Sequence, residues 1–100
     1  MLLGLMTVFI DPPVWPAHGT TFGHLISDES LTELHSFAGA AGISPRAFDR
    51  DHYDVPAYRY ELLVSCGAVE VSGKELARIL RDSGLRVPLR QRRAERSPSA

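Results

Sequence analysis

The sequence predicts a small, single-domain α/β protein with about three mainly parallel strands and about three packed helices. Three observations lead there. The chain has 100 residues, 44% of them hydrophobic, which suits one modest core and no second one. Short β-forming runs recur at residues 7–10, 47–48 and 68–71. Helical stretches follow each run, and such alternation implies parallel pairing through crossovers.

The first run, Thr7-Val8-Phe9-Ile10, is continuous and closed by Asp11-Pro12-Pro13, the pattern of a strand buried on both faces. The prolines cannot donate to a ladder, so the strand ends at Asp11. Residues 12–27 read as one long connection. Pro12, Pro13 and Pro16 restrict it, and Trp15, Phe22, Leu25 and Ile26 give it apolar anchors. Residues 20–27 within it are expected to hold a helical turn. A connection of that length in so small a domain points to function.

Ser30-Leu31-Thr32-Glu33 has the spacing of a capping box, in which hydroxyl and carboxylate each serve an orphan N–H. Leu31, Leu34, Ala38 and Ala41, with Phe37 beside them, then form the inner face of a helix that Gly42 stops. His35 reads as an ordinary residue at the edge of that stripe. Residues 43–55 support a short strand at Ala47-Phe48 and then an acidic turn. Pro56 suits the first turn of a second helix, with Tyr58, Leu62, Leu63 and Cys66 inward and Gly67 at its end. After the run 68–71, Ser72-Gly73-Lys74-Glu75 is a second capping box. It opens a helix with Leu76, Ile79 and Leu80 inward and Gly84 as its stop. No apolar periodicity follows Leu85. These signals divide the chain into an N-terminal extension (1–5), one domain (6–86) and a disordered basic tail (87–100).

The net charge of −1 conceals an asymmetry. Residues 1–85 carry six basic and eleven acidic side chains, whereas residues 86–100 carry five arginines and one glutamate. An acidic body argues against sequence-specific nucleic-acid binding, and a basic tail allows weak contact with acidic partners. One cysteine, Cys66, rules out an internal disulfide; it reads as a small buried packing residue. The apolar start is short and lacks a basic flank, and no apolar run reaches the ~18 residues of a membrane helix. A cytoplasmic protein without membrane contact is the expectation.

In parallel sheets ligands bind beyond the carboxyl ends of the strands. That rule gathers Asp11, the proline loop, His52-Tyr53-Asp54 and Ser72-Gly73 at one rim. Asp11 holds a metal, acts as a base, binds a ribose hydroxyl, or only caps the turn before Pro12. His18 and His24 offer imidazoles for metal or acid–base chemistry, or else one staples the loop and one lies on the surface. Were His24 to open a helical turn, Asp28 would share its face. His52 joins them from a segment with three acids, of which Asp54 is also placed to cap the next helix. Trp15 serves as a core anchor or as a stacking platform. The expected metal ligands are thus Asp11, His18, His24 and His52, around a divalent ion as cofactor. Asp11, His18 and Asp54 are the expected catalytic groups. Trp15, Gly19, Tyr53, Ser72 and Gly73 are expected to bind the rest of a ligand. No phosphate loop, dinucleotide fingerprint, nucleophile elbow or C-x-x-C pair is present,.

The runs VFIDPPVWPAHG (8–19), FGHLISD (22–28), ELHSFA (33–38), DHYDVP (51–56) and GAVEVSGKEL (67–76) together resemble a small bacterial family, domain of unknown function number four thousand and thirty-one, over about residues 6–85. The resemblance implies a start near Met6 and an architecture, and carries no catalytic roles. Its motif residues, Asp11, Pro12, Trp15, Pro16, His18, Gly19, His24, Asp28, His52, Tyr53 and Asp54, coincide with the rim.

Three functions compete on these residues. The first is metal-assisted hydrolysis or another phosphate-handling reaction, with Asp54 accepting a proton. The second is a non-catalytic module for a nucleotide or small anion, with Ser72-Gly73 donating from a helix N-terminus. The third is an adaptor acting through its basic tail.

Overall fold

The computed structural model describes residues 7–88; the expected extension at 1–5 and all but the first two residues of the expected tail lie outside them. The elements are β1 (Val8–Ile10), β2 (Trp15–Ala17), β3 (Thr20–Ser27), α1 (Leu31–Ala40), β4 (Phe48–Asp49), β5 (His52–Pro56), α2 (Tyr60–Ser65), β6 (Val69–Glu70) and α3 (Gly73–Ser83). Single 3-10 turns at Pro45–Ala47 and Ala57–Arg59 precede β4 and α2. The sheet runs β4-β5-β3-β1-β6, with β2 also paired to β3.

The class is α/β as expected, but the sheet corrects the expected pairing. It has six strands, and only β1 with β6 is parallel. β1, β2 and β5 all lie antiparallel to β3, and β4 lies antiparallel to β5. Helical crossovers enforce parallel pairing only where a helix separates neighbouring strands. Here β1, β2 and β3 follow one another without a helix.

The stretch expected as a loop with a helical turn is therefore the centre of the sheet. His18 and Gly19 carry φ of 48° and 79°, the doubly left-handed geometry of a tight hairpin turn. They fold Trp15–Ala17 back onto Thr20–Phe22. β3 then continues past β2 to pair with β1, Ile10 opposite Leu25. No helical turn starts at His24, so Asp28 does not share a helical face with it. Asp28 instead accepts the Thr7 N–H at 3.1 Å and ties down the start of β1.

Side chains alternate across this sheet. One face carries Val8, Ile10, Leu25, Tyr53 and Val55, packed with Leu34 and Ala38 of α1 and Leu63 of α2. The other face carries Phe9 and Ile26, packed with Leu76, Ile79 and Leu80 of α3. Burying each such side chain contributes about 1.5–3 kcal/mol. Ser30 caps α1 as expected, accepting from the Glu33 N–H at 3.0 Å. The reciprocal half of the box is absent: the Glu33 carboxylate takes the Ser27 hydroxyl proton at 2.6 Å. Ser27 is buried and accepts from the Glu29 and Ser30 N–H groups. Ser72 caps α3, and Gly84 closes it with φ of 83°.

The second helix starts later than its proline suggested. Pro56 ends β5, a 3-10 turn intervenes, and α2 holds only six residues. That delay shifts its phase: Leu63 is buried, whereas Tyr58, Leu62 and Cys66 are exposed. No helix among the described residues is long and apolar enough to cross a membrane.

Candidate metal centre

The site grows from one consequence of register. His24 lies opposite Asp54 across β3 and β5, and His52 stands two residues before Asp54 on the same strand. Cross-strand partners and i, i+2 neighbours share a face. His24, His52 and Asp54 therefore project together on the α3 side, and one donor atom from each lies within 4.8 Å of the others. The two imidazole rings are 5.1 Å apart, nearly perpendicular.

Each imidazole is held from behind by its own carboxylate. Asp11 Oδ1 accepts the His24 backbone N–H at 2.6 Å, and Asp11 Oδ2 meets His24 Nδ1 at 3.2 Å. The Asp11 N–H donates to the His24 carbonyl. The carboxylate thus ends the ladder where Pro12 and Pro13 cannot continue it. Two glycines make room for it. A Cβ at Gly23 would collide with the Asp11 carbonyl, and one at Gly73 would lie 3.3 Å from Asp11 Oδ2.

Asp51 plays the same part for His52. Its side chain is fully buried, with Oδ1 at 2.7 Å from His52 Nδ1. Asp51 Oδ2 accepts the Val87 N–H at 2.7 Å. On its other side His52 Nε2 meets Asp54 Oδ1 at 3.1 Å. A histidine between two carboxylates donates from both nitrogens only as an imidazolium. Burial disfavours that charge, but the hydrogen bonds to Asp51 and Asp54 outweigh it and raise the His52 pKa to about 9. Burial pushes the Asp51 carboxyl up, yet His52, the Val87 N–H and the Arg86 charge bring it below its usual range. The hydrogen bond from His52 lowers Asp54, against a smaller opposing effect of burial.

The cluster opens into a cleft of about 310 Å³. Asp11, His24 and His52 line it together with Trp15, with Gly73, Leu76, Ala77 and Leu80 of α3, and with Arg86. A shallower hollow of about 230 Å³ lies beside it, lined by Trp15, Ala17, His18, Phe22, His24 and Asp54.

The expected site residues are thus only partly brought together. His24, His52 and Asp54 converge, with Asp11 behind them. His18 sits in the hairpin turn, edge-on to the Phe22 ring at 6.2 Å, and is not in the cluster. Gly19 is its turn partner. Tyr53 faces the opposite side of the sheet, 3% exposed, its hydroxyl 2.7 Å from His35 Nδ1; it is a core residue and does not reach the cleft. The Ser72 hydroxyl is engaged by the Glu75 N–H, whereas Gly73 lines the cleft. Asp54 caps no helix, since the turn after β5 has no side-chain cap. Trp15 is 61% exposed, so it is no core anchor. The site also lies on a sheet face and not beyond strand tips, because the strands around it are antiparallel. The sequence marks Asp51 only as one of three acids beside His52 and gives it no role, and it leaves Arg86 out of the site. The alternation His52-Tyr53-Asp54-Val55 was the available signal for a two-faced strand at this site.

A family model described as "Protein of unknown function (DUF4031)" matches residues 8–83. The chain belongs to the DUF4031 family. No curated protein and no solved structure matches it. The match spans every strand and helix of the sheet and site, and it ends before Arg86 and Val87.

Proposed function

We propose that this DUF4031 domain holds one divalent transition-metal ion on His24, His52 and Asp54 and uses it in hydrolysis at a phosphate-bearing ligand. One observation carries the reading: two imidazoles, each braced at Nδ1 by a buried carboxylate, cluster with a third carboxylate so that one donor atom from each residue lies within 4.8 Å of the others. Carboxylate-braced histidines are the usual arrangement of metal-ligating imidazoles, because the brace fixes tautomer and orientation. Two histidines and one carboxylate suit zinc, iron, manganese or nickel better than calcium or magnesium. Metal–ligand bonds of about 2.0–2.2 Å place neighbouring donors roughly 3.0–3.4 Å apart, and the 3.1 Å between His52 Nε2 and Asp54 Oδ1 already meets that spacing.

Three protein ligands leave positions for a water, whose pKa a bound ion lowers toward ~7. A bound ion would supply that water as a nucleophile; it would add to phosphorus as the ester P–O bond breaks, and the proton it gives up would end on the leaving oxygen. Asp11 and Asp51 keep the imidazoles oriented throughout. Asp54 becomes a ligand in this reading, so its carboxylate no longer serves as the proton acceptor expected from the sequence.

Calorimetric titration with zinc, manganese and nickel tests the metal. One ion per chain at micromolar affinity or tighter is expected, weakened by more than about a hundredfold in His24→Ala and His52→Ala. Binding no tighter than millimolar, or unchanged in both variants, would end the reading. Phosphomonoester hydrolysis by the loaded protein, abolished by EDTA, tests the reaction. Binding of phosphate compounds without turnover would favour the non-catalytic module, which the Arg86 and Gly73 lining of the cleft supports.

A further inference from the structure

We infer that the cleft between Trp15 and α3 takes a nucleoside monophosphate, its base against the Trp15 indole and its phosphate at Arg86 beside the histidine cluster. The inference deepens the metal reading by naming the ligand class of the same site.

Trp15 carries the first half. It is the chain's one tryptophan, and it stands on β2, whose three residues are all exposed. The fold does not bury it. Its ring lies edge-on to His24 at 6.3 Å, and it lines the cleft beside the polar cluster. Leu76, Ala77 and Leu80 of α3 line the same cleft. A flat, π-bearing group gains affinity by stacking on an exposed indole, as nucleobases do.

Arg86 carries the second half. It is the arginine that lines this cleft, beside Asp11, His24 and His52. Its position is built and not incidental. Leu85 packs into the cluster of Ile26, Leu76 and Leu80, and the Val87 N–H is fixed on buried Asp51. Residue 86 is thereby pinned from both sides. A guanidinium offers paired donors to a phosphate. A volume of about 310 Å³ stands at the lower end of small-ligand pockets, roughly 300–1,000 Å³, the size of one nucleotide.

Trp15 emission reports the test directly. The protein is titrated with AMP, adenosine and ribose 5-phosphate, in EDTA and with zinc. Saturable quenching by AMP below millimolar is expected, with adenosine and ribose 5-phosphate each at least about tenfold weaker. Arg86→Ala should weaken AMP by about tenfold and leave adenosine unchanged. No saturable response to millimolar AMP, AMP no tighter than ribose 5-phosphate, or an unaltered Arg86→Ala variant would overturn the inference. Zinc calorimetry on the same samples separates the two readings. Zinc binding without AMP binding sinks this inference alone, and AMP binding in a protein that takes no zinc sinks the metal reading alone.

Discussion

His52 stands between Asp51 and Asp54, 12% exposed, with a carboxylate on each ring nitrogen. Its pKa rises from 6.5 to about 9. A group with a raised folded value stabilises the fold fully below its unfolded value and loses that contribution as pH climbs through the folded one. Metal-free protein should therefore lose on the order of 3 kcal/mol between about pH 6.5 and 9. Asp51 and Asp54 are lowered, so their contribution is present above the usual carboxylate range and fades as pH falls through it. Urea midpoints across pH should peak near about pH 5–6.5, and His52→Gln should flatten the alkaline limb. An alkaline limb unchanged in that variant would contradict the assignment. A metal ion held as proposed would compete with the same proton, so zinc affinity should instead rise with pH. His18 makes the opposite case. Its φ of 48° suits asparagine at least as well in this turn. His18→Asn should leave stability within about 0.5 kcal/mol and zinc binding intact; lost zinc binding would restore His18 as a ligand.

The element that positions the site is β3, and it is the element least legible in the sequence. Thr20-Thr21-Phe22 are β-formers, but Gly23 and His24 interrupt them, and the proline-rich segment before them imitates a loop. The structure explains the interruption. Gly23 is where the Asp11 backbone crosses closely, and His24 faces the cleft. Residues chosen for the site thus masked the strand that carries it. β5 was hidden likewise, because His52 and Asp54 made a two-faced strand resemble an acidic turn. The capped helices α1 and α3 were legible, since their Ser-x-x-Glu starts and glycine stops depend on local chemistry alone. β1 was legible for the same reason, its apolar run ending at Asp11. Gly23→Ala tests this account of β3. The added methyl meets backbone, not a flexible side chain, so a loss of about 1–3 kcal/mol or more is expected in denaturant unfolding. Zinc binding should weaken as well, because Asp11 must move from His24. An unperturbed variant would mean that the Asp11 approach is not fixed.

At the scale of the molecule, one sheet presents two faces of different kind. The first is sealed by α1 and α2 around Leu25, Tyr53 and Val55. The second is covered by α3 only over Phe9 and Ile26, which leaves His24, His52 and Trp15 in the open part. The identities of several clustered side chains were readable from the sequence, but their shared face was not. That face depends on the β3–β5 register, a non-local property. The segment after α3 closes the arrangement by joining Val87 to Asp51. Val87→Pro removes that N–H and leaves a buried carboxylate oxygen without it. A cost of about 1.5–3 kcal/mol, read as a lower urea midpoint, is expected together with weaker zinc binding; unchanged values would detach the segment from the site. The convergence itself is tested most directly by the imidazole nitrogen resonances of the chain's four histidines during zinc titration. The Nε2 signals of His24 and His52 should shift together and saturate at one ion per chain, while His18 and His35 stay in place. A response confined to His18, or none in His24 and His52, would contradict the metal centre.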